Sequence, residues 1–424
     1  MNEYIITVVD IGSSKIVAMS GAVKDNGITI IGTESITPAE EIIRKGKVID
    51  MENLSNYLFE AFESLKEKTG SRVEWVNLGV GGGHMRGRLF QKQIPIEPGG
   101  RAIEESDIQN LDREIRMAVA EMTQQGTKVL ARIHQEYIVD GRSTTKKKPI
   151  GMHGDSLRAK CHILTGAVNP LQDLIKCVKN AGPAVERIFP HSWASAEAVT
   201  TEEARKMGVL VLDCGKGTTD ICCYYDDVLM MTDSFPVGGG TIDNDLSVLL
   251  NTPIGNAENL KKAHGWCSYE PPAHEQPERA SERIDVFTPA GKLGKQTTAE
   301  EISRIVSERI RDLYERILAP AVMKASLEDK PLLKIMGGGI VLTGGTAYLK
   351  DLPKFTEEFF RHPVRIGTPK KIPGMEMQFL KPEYAAAVGL LLLSEKEERK
   401  RERPPKFKPF FWVKEKIREI IEGS

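Results

Sequence analysis

No stretch of this sequence approaches the ~20 consecutive apolar residues that a helix needs to cross a bilayer. The longest apolar run lies around residues 385–393. The start of the chain, up to Asp10, has neither a basic opening nor a cleavable apolar stretch, so no secretory leader is expected. Cysteine is sparse. Cys161, Cys177, Cys214, Cys222, Cys223 and Cys267 form no CxxC pair, and none stands beside a histidine at zinc spacing. Reduced thiols in a cytosolic protein are the expectation. Neither sign of charge prevails: 58 Lys and Arg face 59 Asp and Glu, a net charge of −1, which argues against nucleic acid as a partner. The one asymmetry is terminal. Residues 395–424 hold ten basic against seven acidic residues, which leaves the rest of the chain at −4. A basic tail on a mildly acidic body points to an anionic surface for the tail.

What is present is ample material for a core. The 424 residues are 40% hydrophobic and 28% charged, enough for two or three domains. YIITVV reads as a buried strand ending at Asp10, GSSK as a tight turn, and IVAMSGAV and GITIIGTESIT as two returning strands. Residues 51–69 then place Leu54, Leu58, Ala61, Phe62 and Leu65 on one helical face, and WVNLGVGG follows as a strand. GVLVLDCGKGTTDICCYY repeats the strand, turn and strand of the start, with a third strand near residues 228–231. Two such units, each with an aspartate closing its first strand, imply a duplicated fold with a cleft between its halves. Residues 84–162, with a polar helix near Ser106–Met122, read as an inserted domain. A Pro-, Glu- and Arg-rich stretch near residues 268–296 leads into a long helix over Ala299–Ile317.

Four motifs carry chemistry. Asp10, Gly12, Ser13, Ser14 and Lys15 make a turn that offers N–H groups, hydroxyls and a cation to an anion, with Asp10 placed to hold Mg²⁺ through water. Asp213, Gly215, Lys216, Gly217, Thr218 and Thr219 repeat it. Gly344, Gly345 and Thr346 end a strand where a base or ribose could lie on bare backbone. Glu258, Lys261 and Lys262 share one helix turn. Singly, each is an ordinary turn or solvated face; their conjunction in this order is not.

These motifs, with PIGMHG, the GGGH turn, ASAEAVTTEEARKMGVLVLDCG and VLTGGTAYLKDL, resemble the actin, sugar-kinase and DnaK-type superfamily, and within it the FtsA family of bacterial cell-division proteins. The resemblance spans essentially the whole chain. It implies an α/β fold: a duplicated actin-like ATPase core, an inserted FtsA-type subdomain and a C-terminal amphipathic helix. The implied layout is 1–83, first half; 84–162, insert; 163–194, return to the first half; and 195–235, second half. Residues 236–304 would form an upper subdomain holding the C-terminal tail of the tubulin-like FtsZ. Residues 305–394 would complete the core, 395–409 form a linker, and 410–424 the membrane helix.

ATP and Mg²⁺ are the implied ligands, with Asp10 and Asp213 on the metal's water shell. Gly239 and Gly240 would approach the phosphates, and Glu258, Lys261 and Lys262 the base and ribose. Arg304 and Arg311, at i, i+7, would meet the FtsZ tail. The other implied partners are further copies in a filament, later divisome proteins and the inner leaflet of the cytoplasmic membrane, at the division site. The alternatives are a pilus-type actin-like scaffold and a small-molecule kinase; a chaperone would need a substrate domain for which no chain remains.

Two departures from the family pattern stand out. Lys216 replaces a usual glycine, its ammonium reaching either a γ-phosphate or solvent. His191 and Ser192 stand where an acid-Pro pair is usual, so His191 is either a satisfied helix-end histidine or a catalytic base, and hydrolysis is expected to be slow at most.

In the tail, Phe410, Val413, Ile417, Ile420 and Ile421 cluster on one side at 100° per residue. Phe411 and Trp412 lie near the helix start, where aromatics suit a bilayer interface.

Overall fold

The computed structural model describes residues 4–25, 27–123, 125–145, 147–268, 281–324, 326–327 and 330–400. Its core consists of two sheets built to one plan. In the first half, Tyr4–Ile11, Ile16–Lys24 and Gly27–Ile36 form an antiparallel meander. Trp75–Val80 and then Ala184–Pro190 extend it in parallel on the other side of the first strand. In the second half, Val209–Cys214, Thr219–Tyr225 and Val228–Phe235 form the meander, and Ile340–Thr343 and Val364–Ile366 extend it in parallel. The first strands of the two halves are buried on both faces, which is why VLVLDC reads as a continuous apolar run. All six cysteines are free and buried, and burial pushes the Cys161 thiol up to about 11.

Local signals place the helix Met51–Thr69. Asp50 accepts the Asn53 N–H at 2.9 Å at its start, and Gly70, at φ 68°, ends it. The five apolar residues expected on one face are all buried. The long helix of the second half differs from expectation. After Ala299–Leu313 it widens into a π turn over Tyr314–Leu318 and then continues as Ala319–Lys324. Two features mark the irregular turn: Pro320, just beyond it, has no N–H for the ladder, and the Tyr314 ring packs on Phe355, Phe359 and Phe360 while its hydroxyl pairs with Thr356 Oγ1 at 2.8 Å.

The inserted unit packs helix Glu105–Met122 on strands Met85–Pro95, Thr127–Val139 and Ser156–Ala167. Its sheet joins that of the second half through the pair Arg86 and Asp233, making nine strands in all. Buried polar contacts fix the joint: His162 Nε2 lies 2.9 Å from Thr232 Oγ1, and Gln135 Nε2 donates to Leu229 O at 2.8 Å.

Two helices, His191–Val199 and Ala385–Arg399, cross between the halves. They touch backbone to backbone: a Cβ on Gly389 would lie 1.7 Å from Ala194 O. The second helix runs to Arg399, five residues into the expected linker, because its charges find partners. Glu395 pairs with Arg399, Lys396 with Glu197, and Arg187 with Glu397 and Glu398. The amphipathic segment 410–424, with Phe410, Phe411, Trp412, Val413, Ile417, Ile420 and Ile421, lies outside the described residues. Among the described residues, no helix is long and apolar enough to cross a membrane.

Candidate nucleotide-binding cleft

Each half ends its first strand with a buried aspartate beneath a four-residue turn. Asp10 is 7% and Asp213 8% exposed. The turns close identically: Gly12 N–H donates to Lys15 O at 3.0 Å, and Gly215 N–H to Thr218 O at 2.9 Å. The two tips meet across the cleft, since a Cβ on Gly217 would lie 2.3 Å from Ser13 Oγ. Ser14 is exposed beside it. Lys15 lies 3.5 Å from Glu383 Oε1 and stacks 4.1 Å over the Tyr384 ring, tying the first turn to the entrance of the crossing helix.

Under the tips sits a cluster of charge. His191, first residue of its helix, places Nε2 2.6 Å from Asp10 Oδ1. Burial would lower its pKa, but Asp10, then Asp220 and Asp213, outweigh burial and hold it at about 9. It therefore sits as a cation against Asp10, with Asp213 and Asp220 close by. The contact with Asp10 places His191 as a counter-ion to the carboxylates. Asp213 is pushed up to about 7 by burial and by Asp220, despite the hydroxyl of Ser195 donating to its Oδ2. Burial likewise raises Asp220, although Thr218 Oγ1 donates to its Oδ2 at 3.0 Å.

Asp220 closes the second motif in the sequence without a role of its own there, and Ser195 was not among the residues expected from sequence. Asp220 is legible in hindsight: across a four-residue turn, the residue seven beyond Asp213 is its direct cross-strand partner. Ser195 comes from a distant helix and leaves no such signal.

The glycines after the third strand hold the second turn rather than presenting free N–H groups. Gly239 N–H donates to Gly215 O at 2.9 Å and Gly240 N–H to Lys216 O at 2.8 Å, and Thr346 Oγ1 adds a bond to Gly215 O at 3.0 Å. Gly344, at φ 82°, is required as glycine, since a Cβ there would fall 2.4 Å from Asp213 Oδ1. Gly345 lies open beside it, with only Glu383 Cβ within 4 Å of a would-be Cβ.

On the helix Ile254–His264, Glu258 pairs with Lys216 at 3.1 Å and Lys262 at 2.7 Å. Burial acts against it, but the two ammoniums hold its carboxyl at about 2. Lys216, its side chain 43% exposed, straps the second turn to this helix through Glu258. Lys261 turns away from the pair, to Asp243 Oδ1 at 2.6 Å and Gly239 O at 3.2 Å. Arg304 and Arg311 stand apart from the cleft on the long helix. They pair with Glu308 and Glu315, each at 3.9 Å, and Arg311 also lies 5.7 Å from the Phe355 ring.

The residues fit a nucleotide with its metal. Three buried carboxylates share one histidine cation, and Asp220 Oδ1 is buried without a hydrogen-bond partner. Such a deficit suits a hydrated divalent ion above the cluster. The paired turns suit the phosphates, and the open backbone at Gly345 suits a flat group.

The family model "Cell division protein FtsA" matches residues 210–389, and "SHS2 domain inserted in FTSA" matches residues 82–165. The cell division protein FtsA of Neisseria meningitidis is 31% identical over 387 residues, 91% of this chain and 89% of that one. Among solved structures, the PilM–PilN type IV pilus biogenesis complex superposes with a TM-score of 0.63 at 13% identity, covering 92% of this chain and 98% of that one. MreB5 of Spiroplasma citri bound to ADP gives 0.52 at 16%, covering 94% and 99%. The structural likenesses establish an actin-like fold; the sequence likeness, carried across both the duplicated core and its insert, goes further, and the chain belongs to the FtsA family of cell division proteins.

Proposed function

We propose that this chain binds ATP with Mg²⁺ in the cleft, polymerises as an actin-like filament, and ties FtsZ to the inner face of the cytoplasmic membrane. The observation that carries the reading is the pair of turns, each following a buried aspartate, meeting tip to tip over three carboxylates. The ADP bound to MreB5, a protein of the same fold, supports a nucleotide here. With His191 held beside Asp10 as a counter-ion, hydrolysis is read as slow at most. ATP then acts as a conformational ligand that favours one arrangement of the halves.

A thermal melt with and without Mg·ATP tests the site. At a hundred times its dissociation constant the ligand stabilises the fold by about 2.7 kcal/mol. An unchanged melting temperature would remove the nucleotide from the account.

The FtsZ tail is assigned to residues 236–304, with Arg304 and Arg311 meeting its carboxylates. The Arg304 side chain is 61% exposed, and its pairing with Glu308 at 3.9 Å is the loose surface kind that a better-placed carboxylate displaces. Arg304→Glu is expected to weaken capture of an FtsZ-tail peptide while ATP binding persists. Full retention of the peptide would move the site elsewhere.

A further inference from the structure

Before helix Met51–Thr69 lies a small hairpin in which Ile43–Arg44 pairs with Lys47–Val48 and Ile49 N–H donates to Ile42 O at 3.0 Å. Its two turn residues both have positive φ, 52° at Lys45 and 80° at Gly46. This is the left-handed pair of a two-residue hairpin turn, where Asn-Gly, Asp-Gly or Gly-Gly is the favoured occupant. Gly46 is accounted for by its surroundings: a Cβ there would lie 2.2 Å from Gly81 O and 2.5 Å from Gly82 Cα. Lys45 is not. A long side chain is disfavoured in this conformation, and Lys45 is exposed, without packing that would offset the cost. Residues kept in such conformations concentrate at functional sites.

The position of the turn shows what Lys45 is near. Its Gly46 rests on Gly81 and Gly82, the backbone that also lines the charge cluster; a Cβ on Gly81 would lie 2.6 Å from His191 Nδ1 and 3.4 Å from Asp220 Oδ2. Its tip crosses to the other half, where Lys45 N lies 3.3 Å from a would-be Cβ on Gly217. Lys45 therefore stands beside the point where the two phosphate turns meet. Of the other cations near this mouth, Lys15 pairs with Glu383, Arg44 with Glu41 and Lys216 with Glu258, while Lys47, on the returning strand, lines a cavity with His84 and Asp173. Lys45 has no carboxylate partner among the described residues.

We propose that Lys45, held in a left-handed turn against Gly217 and Gly81, is a third phosphate contact that selects the terminal phosphate of a nucleoside triphosphate. The inference rests on the nucleotide reading above. Lys216 and Lys15 brace the two turns, and Lys45 supplies the free charge where a third phosphate would end.

Lys45→Asn and Lys45→Gly test it, because both residues suit the turn and remove the ammonium. Equilibrium binding of fluorescent ATP and ADP to the full chain is the readout, with melts of the unliganded proteins alongside. The expected result is a loss of about tenfold or more in ATP affinity, the scale of one charge-assisted contact. ADP affinity should stay within about twofold, well inside that single-contact scale, and the unliganded melting temperature should be unchanged or raised. An unaltered ATP-to-ADP ratio, or lower melting temperatures in both variants, overturns the proposal. Wild type that binds neither nucleotide overturns the nucleotide reading itself, an outcome visible before any variant is made.

Discussion

Deleting residues 406–424 is expected to abolish co-sedimentation with anionic liposomes and to leave ATP binding intact. In the deleted segment Phe410, Val413, Ile417, Ile420 and Ile421 share one side, while Glu415, Lys416 and Glu419 occupy the other. A helix of this kind lies in the interface with its apolar stripe among the acyl chains. Lys414 and Arg418, at the boundary of the stripe in the sequence, would be able to lay their stems on the apolar side and turn their charges to headgroups. The Pro404-Pro405 pair and the charges around it separate the segment from the last helix of the core, which favours a membrane over the chain's own body as its resting place. One such helix binds weakly and reversibly, whereas a filament presents many at once and gains avidity without any new contact. On the proposed reading, polymerisation and membrane attachment would therefore act together. Ile417→Glu, which places a carboxylate in the middle of the stripe, is expected to have nearly the effect of the deletion. Truncated protein that still pellets with liposomes would show that the anchor lies elsewhere.

The features legible in the sequence were those fixed by neighbours along the chain. Asp50, the apolar face from Leu54 to Leu65, and Gly70 define one helix without help from the rest of the molecule. The two aspartate-and-glycine turns were readable because a strand end, a tight turn and a returning strand occupy fewer than twenty residues. Their meeting was only an inference from duplication, and the contact between Ser13 and Gly217 depends on two helices crossing at Ala194 and Gly389, far away in sequence.

The long-range pairings escaped sequence reasoning altogether. Lys216 is 42 residues from Glu258. The docking of the insert on the second half through His162 and Thr232 joins residues 70 apart that carry no mutual pattern. The charged run after Ser394 looked incapable of packing because its partners, Glu197 and Arg187, belong to another part of the chain. Charge patterning along the chain indicates solvation only when nothing across space answers it.

Equilibrium binding of ATP, measured with Mg²⁺ and with EDTA on wild type and on Asp213→Ala, tests the nucleotide cleft most directly. Asp213 is buried under the second turn, accepts from Ser195, and lies with Asp10 and Asp220 around the single cation of His191. On the proposed reading its carboxylate would help hold the hydrated metal, and loss of such a partner weakens a metal site by about 10–100-fold. The account predicts saturable binding by wild type, weakened by EDTA, and a loss of that order in Asp213→Ala with Mg²⁺ present. Binding by Asp213→Ala as tight as that of the wild type, or none by the wild type under any condition, would contradict it.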